Sequence, residues 1–264
     1  MKMKLLAAST IIAYILSTLS IKYILAAETE EILKKLVFYF VFSASLVLFT
    51  IYTYNLIDNF EGRFNFIISL ALSFLIVNYL FFIFMFTKPI YHLGLVLFPL
   101  TFITILITLI YDGATNIVPI TNNNLKLHII SSIASYGFLG LAAIQAILLR
   151  YQEKKLKYVK ESHFITMLPP IEKMEKVMFE LIILGFILLT LSLLSGAPFV
   201  LSGTDQGLIQ KILFSIIAWI TYSFLIYKRF SFGVRGKKAT NLTLSGMAFL
   251  FIAYLGTKLF FELF

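Results

Sequence analysis

The chain has 264 residues, of which 60% are hydrophobic and 13% charged, and its mean hydropathy is +0.94. No water-soluble core absorbs that much apolar side chain, so the composition excludes a soluble globular domain and implies an integral membrane protein. The chain is basic, with 22 Lys and Arg against 13 Asp and Glu, and it has no cysteine, which excludes disulfides, CxxC redox pairs and thiolate metal sites.

A helix needs about 20 apolar residues to cross the hydrocarbon layer. Eight such runs follow one another: Leu5 to Ala26, Leu36 to Ile57, Phe64 to Phe86, Tyr91 to Tyr111, His128 to Leu149, Val177 to Leu194, Ile209 to Tyr227 and Leu242 to Phe261. Continuous runs predict helices, since barrel strands alternate with a period of two. The expected architecture is an all-α polytopic bundle of eight transmembrane helices, forming one integral membrane domain over residues 1–264.

The first run has a basic start, an apolar centre and Leu25-Ala26-Ala27 before acidic residues, the outline of a cleaved signal peptide. Charge argues for a retained span instead. The connection from Arg150 to Lys176 and the one from Lys228 to Thr240 are the most basic, which predicts that both are cytoplasmic. Eight retained spans then leave both termini outside, with sixteen Lys and Arg inside and six outside. Confinement of the basic residues to short juxtamembrane loops points to anionic membrane lipid rather than nucleic acid as their partner.

Three polar features stand out along the spans. His92 opens the fourth span, beside Lys88 and Pro89. The fifth span opens on His128, with Ser131, Ser132 and Ser135 three, four and seven residues further on and Tyr136 next to that face. Such a stripe faces protein or a cavity rather than lipid: it lines a polar site, or its small serines let another helix approach. His163 falls in the inner loop, so the three histidines differ in depth and no three-histidine metal site is expected.

The sixth span follows Leu168-Pro169-Pro170, and Ile171, Met174, Val177 and Met178 predict a short amphipathic lead into it. On the seventh, Lys211, Ser215, Ala218, Trp219 and Tyr222 recur at helical spacing, with Gln210 and Lys211 at the outer mouth, level with His128. A haem site needs an axial imidazole, a flat aromatic wall and cations for the propionates. His128, the Trp219 and Tyr222 face, and Lys126 or Lys211 are candidates for those three parts. Phe232 to Lys238 is a basic turn without the frame of a phosphate loop and reads as a lipid contact; Lys258 and Glu262 are spaced to pair on the last span.

The segments HIISSIASYGFLGLAAIQAILLRYQEKKLK, LPPIEKMEKVMFELIILGFILLTLSLLSG and KILFSIIAWITYSFLIYKRFSFGVRGKKATNLTLSGMAFLFIAYLG resemble, in order, the bacterial inner-membrane proteins of the cytochrome c assembly superfamily, most of all its YpjD branch. The resemblance covers roughly residues 125–256; the amino-terminal half matches in hydropathy. It implies a multi-pass protein of the bacterial inner membrane, with haem as cofactor, cytochrome c maturation proteins as partners, and His128 as the haem-iron ligand at the outer face. Gln210 stands where broader relatives often have a second histidine, and the tryptophan-rich motif of haem-delivering members is absent. Together these departures imply one axial histidine and no direct delivery of haem.

No Ser/His/Asp set or paired catalytic carboxylates appear, so a non-enzymatic role is expected. Two other classes fit a chain of this composition, a small-solute or ion transporter and a non-catalytic membrane partner that regulates another complex. A transporter wants ionisable groups or broken helices near the midplane, where the main polar residues here are Asn78 and Gln145.

Overall fold

A computed structural model describes residues 2–25, 32–59, 66–88, 90–110, 123–157, 168–202 and 206–256. Its helices are α1 (Lys2–Leu25), α2 (Ile32–Asn59), α3 (Phe66–Phe84), α4 (Tyr91–Ile110), α5 (Asn123–Lys157), α6 (Ile171–Ser202), α7 (Gln206–Phe232) and α8 (Gly236–Phe251), the last continued by a π-helical turn over Ile252–Gly256. Among the described residues seven helices, α1 to α7, are long and apolar enough to cross a membrane. The predicted eighth span, Leu242 to Phe261, is helical from Leu242 to Gly256, and its last residues lie outside those described. The protein is thus an all-helical, multi-pass membrane protein. His163, Lys258 and Glu262 lie outside the described residues, as does most of the connection before α5.

Burial is inverted relative to a soluble protein. Phe40, Ile110, Leu194 and Phe230 are exposed, whereas Ser17, Ser45, Asn78, Thr101, Ser135 and Gln145 are fully buried. Lipid is the solvent for the first group, and the hydroxyls and amide N–H groups of the second find partners inside protein, whereas the Asn78 side-chain oxygen is left without one among the described residues. Many hydroxyls do so by donating to the carbonyl one turn back, as Thr10 does to Leu6 at 2.7 Å and Thr53 to Phe49 at 2.8 Å.

Proximity of the backbone divides the chain into two compact units, residues 1–121 with 166–168 and residues 122–165 with 169–264. In the first unit, Phe38, Phe42, Phe81 and Phe98 form an aromatic core, with Phe42 and Phe98 centroids 4.7 Å apart. Gly94 lets α1 come close to α4: a β-carbon there would lie 2.5 Å from Ile21. Buried hydrogen bonds join Ser17 to Ser45 at 2.9 Å, Tyr52 to Thr108 at 2.7 Å and the Asn78 amide to Thr101 at 2.9 Å. His92 is buried at the start of α4.

In the second unit α5 and α6 run antiparallel along much of their length, and donors on α5 meet carbonyls on α6 or just before it. The His128 ring donates to Ser192, Ser135 to Gly185, Gln145 to Met174 and Gln152 to Pro169, at 2.8, 2.9, 3.0 and 3.1 Å. The heptad steps from 128 to 135, from 145 to 152 and from 185 to 192 keep the rungs on one seam, as in a left-handed helix pair. At about 0.6 kcal/mol for an average interhelical hydrogen bond in a membrane, four rungs contribute about 2 kcal/mol. Close packing adds to them: a β-carbon at Gly185 would lie 2.6 Å from Leu139. Of the two readings of the serine stripe, the packing face is the one observed.

Several boundaries differ from the hydropathy reading. α5 runs past Leu149 to Lys157, α6 runs past Leu194 to Ser202, and the amphipathic lead from Ile171 is continuous with α6, so both described ends of the basic connection from Arg150 to Lys176 are helical. Lys, Gln, Glu and Leu are good helix formers, and once beyond the hydrocarbon they extend a helix without changing its polarity.

Candidate functional site

His128 lies in the second turn of α5 and is half-buried. Its Nδ1 is 2.8 Å from the carbonyl oxygen of Ser192 and 3.4 Å from the Ser192 hydroxyl, so the carbonyl is the dominant partner. A carbonyl only accepts, hence Nδ1 carries the proton, and in the neutral ring Nε2 holds the lone pair. Among the described residues Nε2 has no hydrogen-bond partner. An imidazole whose Nδ1–H is held by a main-chain carbonyl has the tautomer and fixed orientation of a metal-ligating histidine.

The ring is seated on Gly196. A β-carbon at that position would lie 2.8 Å from both Nδ1 and Cε1, closer than real β-carbons approach, so only glycine leaves room for the imidazole against α6. Below the ring, Ser132 donates to the His128 carbonyl at 2.6 Å and its hydroxyl also meets that of Ser192, while Ser131 donates to Leu127 at 2.7 Å. His128, Ser132, Ser192 and Gly196 form one small cradle.

The other predicted site residues divide. Trp219 donates from Nε1 to Thr190 at 2.9 Å and stacks on Phe186 at 5.5 Å between centroids. Positions 186 and 190 lie on a different face of α6 from 185, 192 and 196, so Trp219 and His128 touch that helix on different sides. Tyr222 is fully buried, donates to the Thr243 carbonyl at 3.2 Å and packs flat on Gly246, where a β-carbon would lie 2.7 Å from its ring. Tyr136 reaches Ser215 and meets Tyr254 at 5.8 Å. Gln210 and Lys211 are exposed near the start of α7. Lys126 is on α5, its side chain outside the described residues. Among the described residues no three His, Asp or Glu side chains gather as a metal cluster.

A second polar assembly was not singled out in the sequence. Glu175, in the first turns of α6, is 8% exposed and accepts from the Gly236 N–H at 2.8 Å, with Arg229 at 3.6 Å and Arg235 at 3.9 Å. It acts as an N-cap lent by another helix, because Arg235, at the N-cap of α8, forms no side-chain cap of its own. Gly233 ends α7 in the left-handed region at φ 61°, with its N–H on the Arg229 carbonyl at 3.0 Å, and Gly236 opens α8 at φ 56°. The signal available in the sequence was an acid between Lys173 and Lys176, followed later by two glycines three residues apart.

The family described as Cytochrome C assembly protein matches residues 3–264, nearly the whole chain. The chain belongs to that family. Among curated relatives of the family member, Inner membrane protein YpjD of Escherichia coli (strain K12) is 32% identical over 133 residues, 50% of each chain. An uncharacterized protein of Azospirillum brasilense is 28% identical over 136 residues, 51% of this chain and 50% of its own. Cytochrome c biogenesis protein CcsA of Prochlorococcus marinus (strain MIT 9301) is 32% identical over 89 residues, 33% of this chain and 29% of its own. The chain thus spans about half the length of the first curated relatives it matches. No solved structure matches it.

Proposed function

We propose that this family member is a haem-handling protein of cytochrome c assembly in the bacterial inner membrane, with His128 as the single axial ligand and no catalytic turnover of its own. The observation that carries the reading is the 2.8 Å hydrogen bond from Nδ1 to the Ser192 carbonyl, which leaves Nε2 as the donor atom. Membership of the family and the printed names of its relatives supply the context of cytochrome c biogenesis and the inner membrane.

The residues fit one axial position. His128 is oriented by Ser192, its ring is given room by Gly196, and Ser132 ties the same turn to α6. A bound haem would supply the iron centre that cytochrome c maturation transfers. Gln210 and Lys211, both exposed, are the polar groups near the start of α7 proposed to meet the cofactor's polar edge, and Tyr136, Trp219 and Tyr222 brace the helices around the cradle. The basic ends of α5, α6 and α7 are assigned to the cytoplasmic side and His128 to the outer side, following the distribution of Lys and Arg.

Among the described residues the mid-span amides are engaged in helix contacts: Gln145 donates to Met174 and Asn78 to Thr101. That use favours no transport reading. The deciding experiment is the absorption spectrum of detergent-purified protein titrated with haem, beside His128→Ala. A Soret band that is lost in the variant supports the reading; absence of a band, or a band indifferent to the substitution, overturns it.

A further inference from the structure

Five cations flank the turn between α7 and α8, and four of them fall into two groups, the fifth, Lys237, being exposed. Arg229 and Arg235 point to Glu175 and help close the interior. Lys228 and Lys238 do not: among the described residues neither ammonium pairs with a carboxylate, and both line an open cleft of about 340 Å³ with Phe224, Val234, Asn241 and Leu242.

The cleft is chemically one-sided. Lys228 Nζ lies over two rings of its own helix, 4.4 Å from the Phe232 centroid and 5.4 Å from that of Phe224, contacts that favour its place at the cleft. Arg150 donates from Nη1 to Asn241 at 2.8 Å, and because a guanidinium only donates, the Asn241 oxygen is the atom that faces it. The Asn241 side-chain NH₂ remains as a donor. Two ammonium groups and an amide N–H thus stand without a competing acceptor, a set that recognises an anion with several oxygens.

Depth identifies the kind of anion. Lys228, Val234 and Lys238 are at the turn, whereas Phe224 and Leu242 are one helical turn further into their spans. The cleft changes from cationic to apolar along the membrane normal, as a glycerophospholipid does from phosphate to acyl chain. We propose that this cleft is a binding site for an anionic phospholipid, whose phosphodiester is held by Lys228, Lys238 and Asn241 and whose acyl chain lies against Phe224 and Leu242.

The test uses the full chain, purified in mild detergent, with native mass spectrometry of phosphatidylglycerol titrated against it. Lys238→Glu should weaken retention by about tenfold, and Lys237→Glu, which makes the same change of charge on an exposed neighbour outside the cleft, should leave it unchanged. Phosphatidylcholine should bind markedly less well, and millimolar inorganic phosphate should not displace the lipid. Equal loss in both variants, no loss in either, equal retention of phosphatidylcholine, or displacement by inorganic phosphate would each overturn the proposal. Thermal unfolding of both variants in detergent should match the parent, which removes misfolding as a cause of lost binding.

Discussion

Gly196→Ala is the sharpest probe at the scale of one residue. Alanine is the better helix former by about 1 kcal/mol, so backbone propensity favours the variant, yet its β-carbon would enter the His128 ring at 2.8 Å. Haem uptake, read by titration of the Soret band, is expected to fall about tenfold or more as the ring is displaced. Ser192→Ala removes the hydroxyl that meets Ser132 but keeps the carbonyl that orients the imidazole. Its uptake should stay close to the parent's; an equal loss in both variants would mean that the hydroxyl, and not the main chain, orients the ring. His128 was legible because it is the one histidine at the head of a span with serines on its face. Ser192 and Gly196 were not, since they lie 64 and 68 residues away and a carbonyl acceptor leaves no mark in sequence.

Between elements, the seam of α5 and α6 combines close approach with hydrogen bonds, and the two can be separated. Gly185→Val should push Leu139 away and lower stability by about 1–3 kcal/mol as an overpacked contact, read as a drop in Tm in detergent. Gln145→Leu keeps the volume and loses one rung to Met174, so the expected loss is only about 0.6 kcal/mol. A larger effect at Gln145 than at Gly185 would mean that hydrogen bonds, and not packing, dominate the seam. The spans themselves were readable because about 20 apolar residues have few other uses. Their ends were legible only in part: the stop at Pro169-Pro170 and the amphipathic lead marked the start of α6 at Ile171, but hydropathy stops at the edge of the hydrocarbon, while helix propensity carried α5 on to Lys157. The aromatic face of α7 was likewise visible as a face, but its assignment between α6 for Trp219 and α8 for Tyr222 depends on tertiary packing.

At the scale of the molecule, the lack of cysteine permits a direct test of orientation. Single cysteines replacing Lys173 or Lys237 should be labelled by a membrane-impermeant maleimide in inverted vesicles and protected in intact cells or spheroplasts, and one replacing Lys211 should show the opposite pattern. Labelling of Lys237→Cys from outside would invert the topology and move His128 to the cytoplasmic face. Glu175→Gln should also be felt beyond its own turn, because Arg229 is 23% exposed and would lose its carboxylate as α8 loses the charge on its cap. Removal of one partner of a well-buried pair costs about 3–5 kcal/mol; for this partly solvated one about 1–3 kcal/mol is expected, checked by thermal unfolding.

The Glu175 cluster also bears on how the chain is made. During insertion Arg229 and Arg235 act as free cations that retain their loop, and nearby acids hardly weaken that signal. After folding the same two arginines share one carboxylate, on a residue that emerges from the ribosome 54 positions earlier than the first of them. Glu175 and the arginines are separated by two spans, so α6 and α7 crossing in opposite directions bring them back to one membrane face. A chain that misses one crossing leaves Glu175 without its arginines and the amino end of α8 without its cap. The cluster therefore ties the start of α6 to the junction of α7 and α8, points far apart in the order of synthesis, into one polar contact.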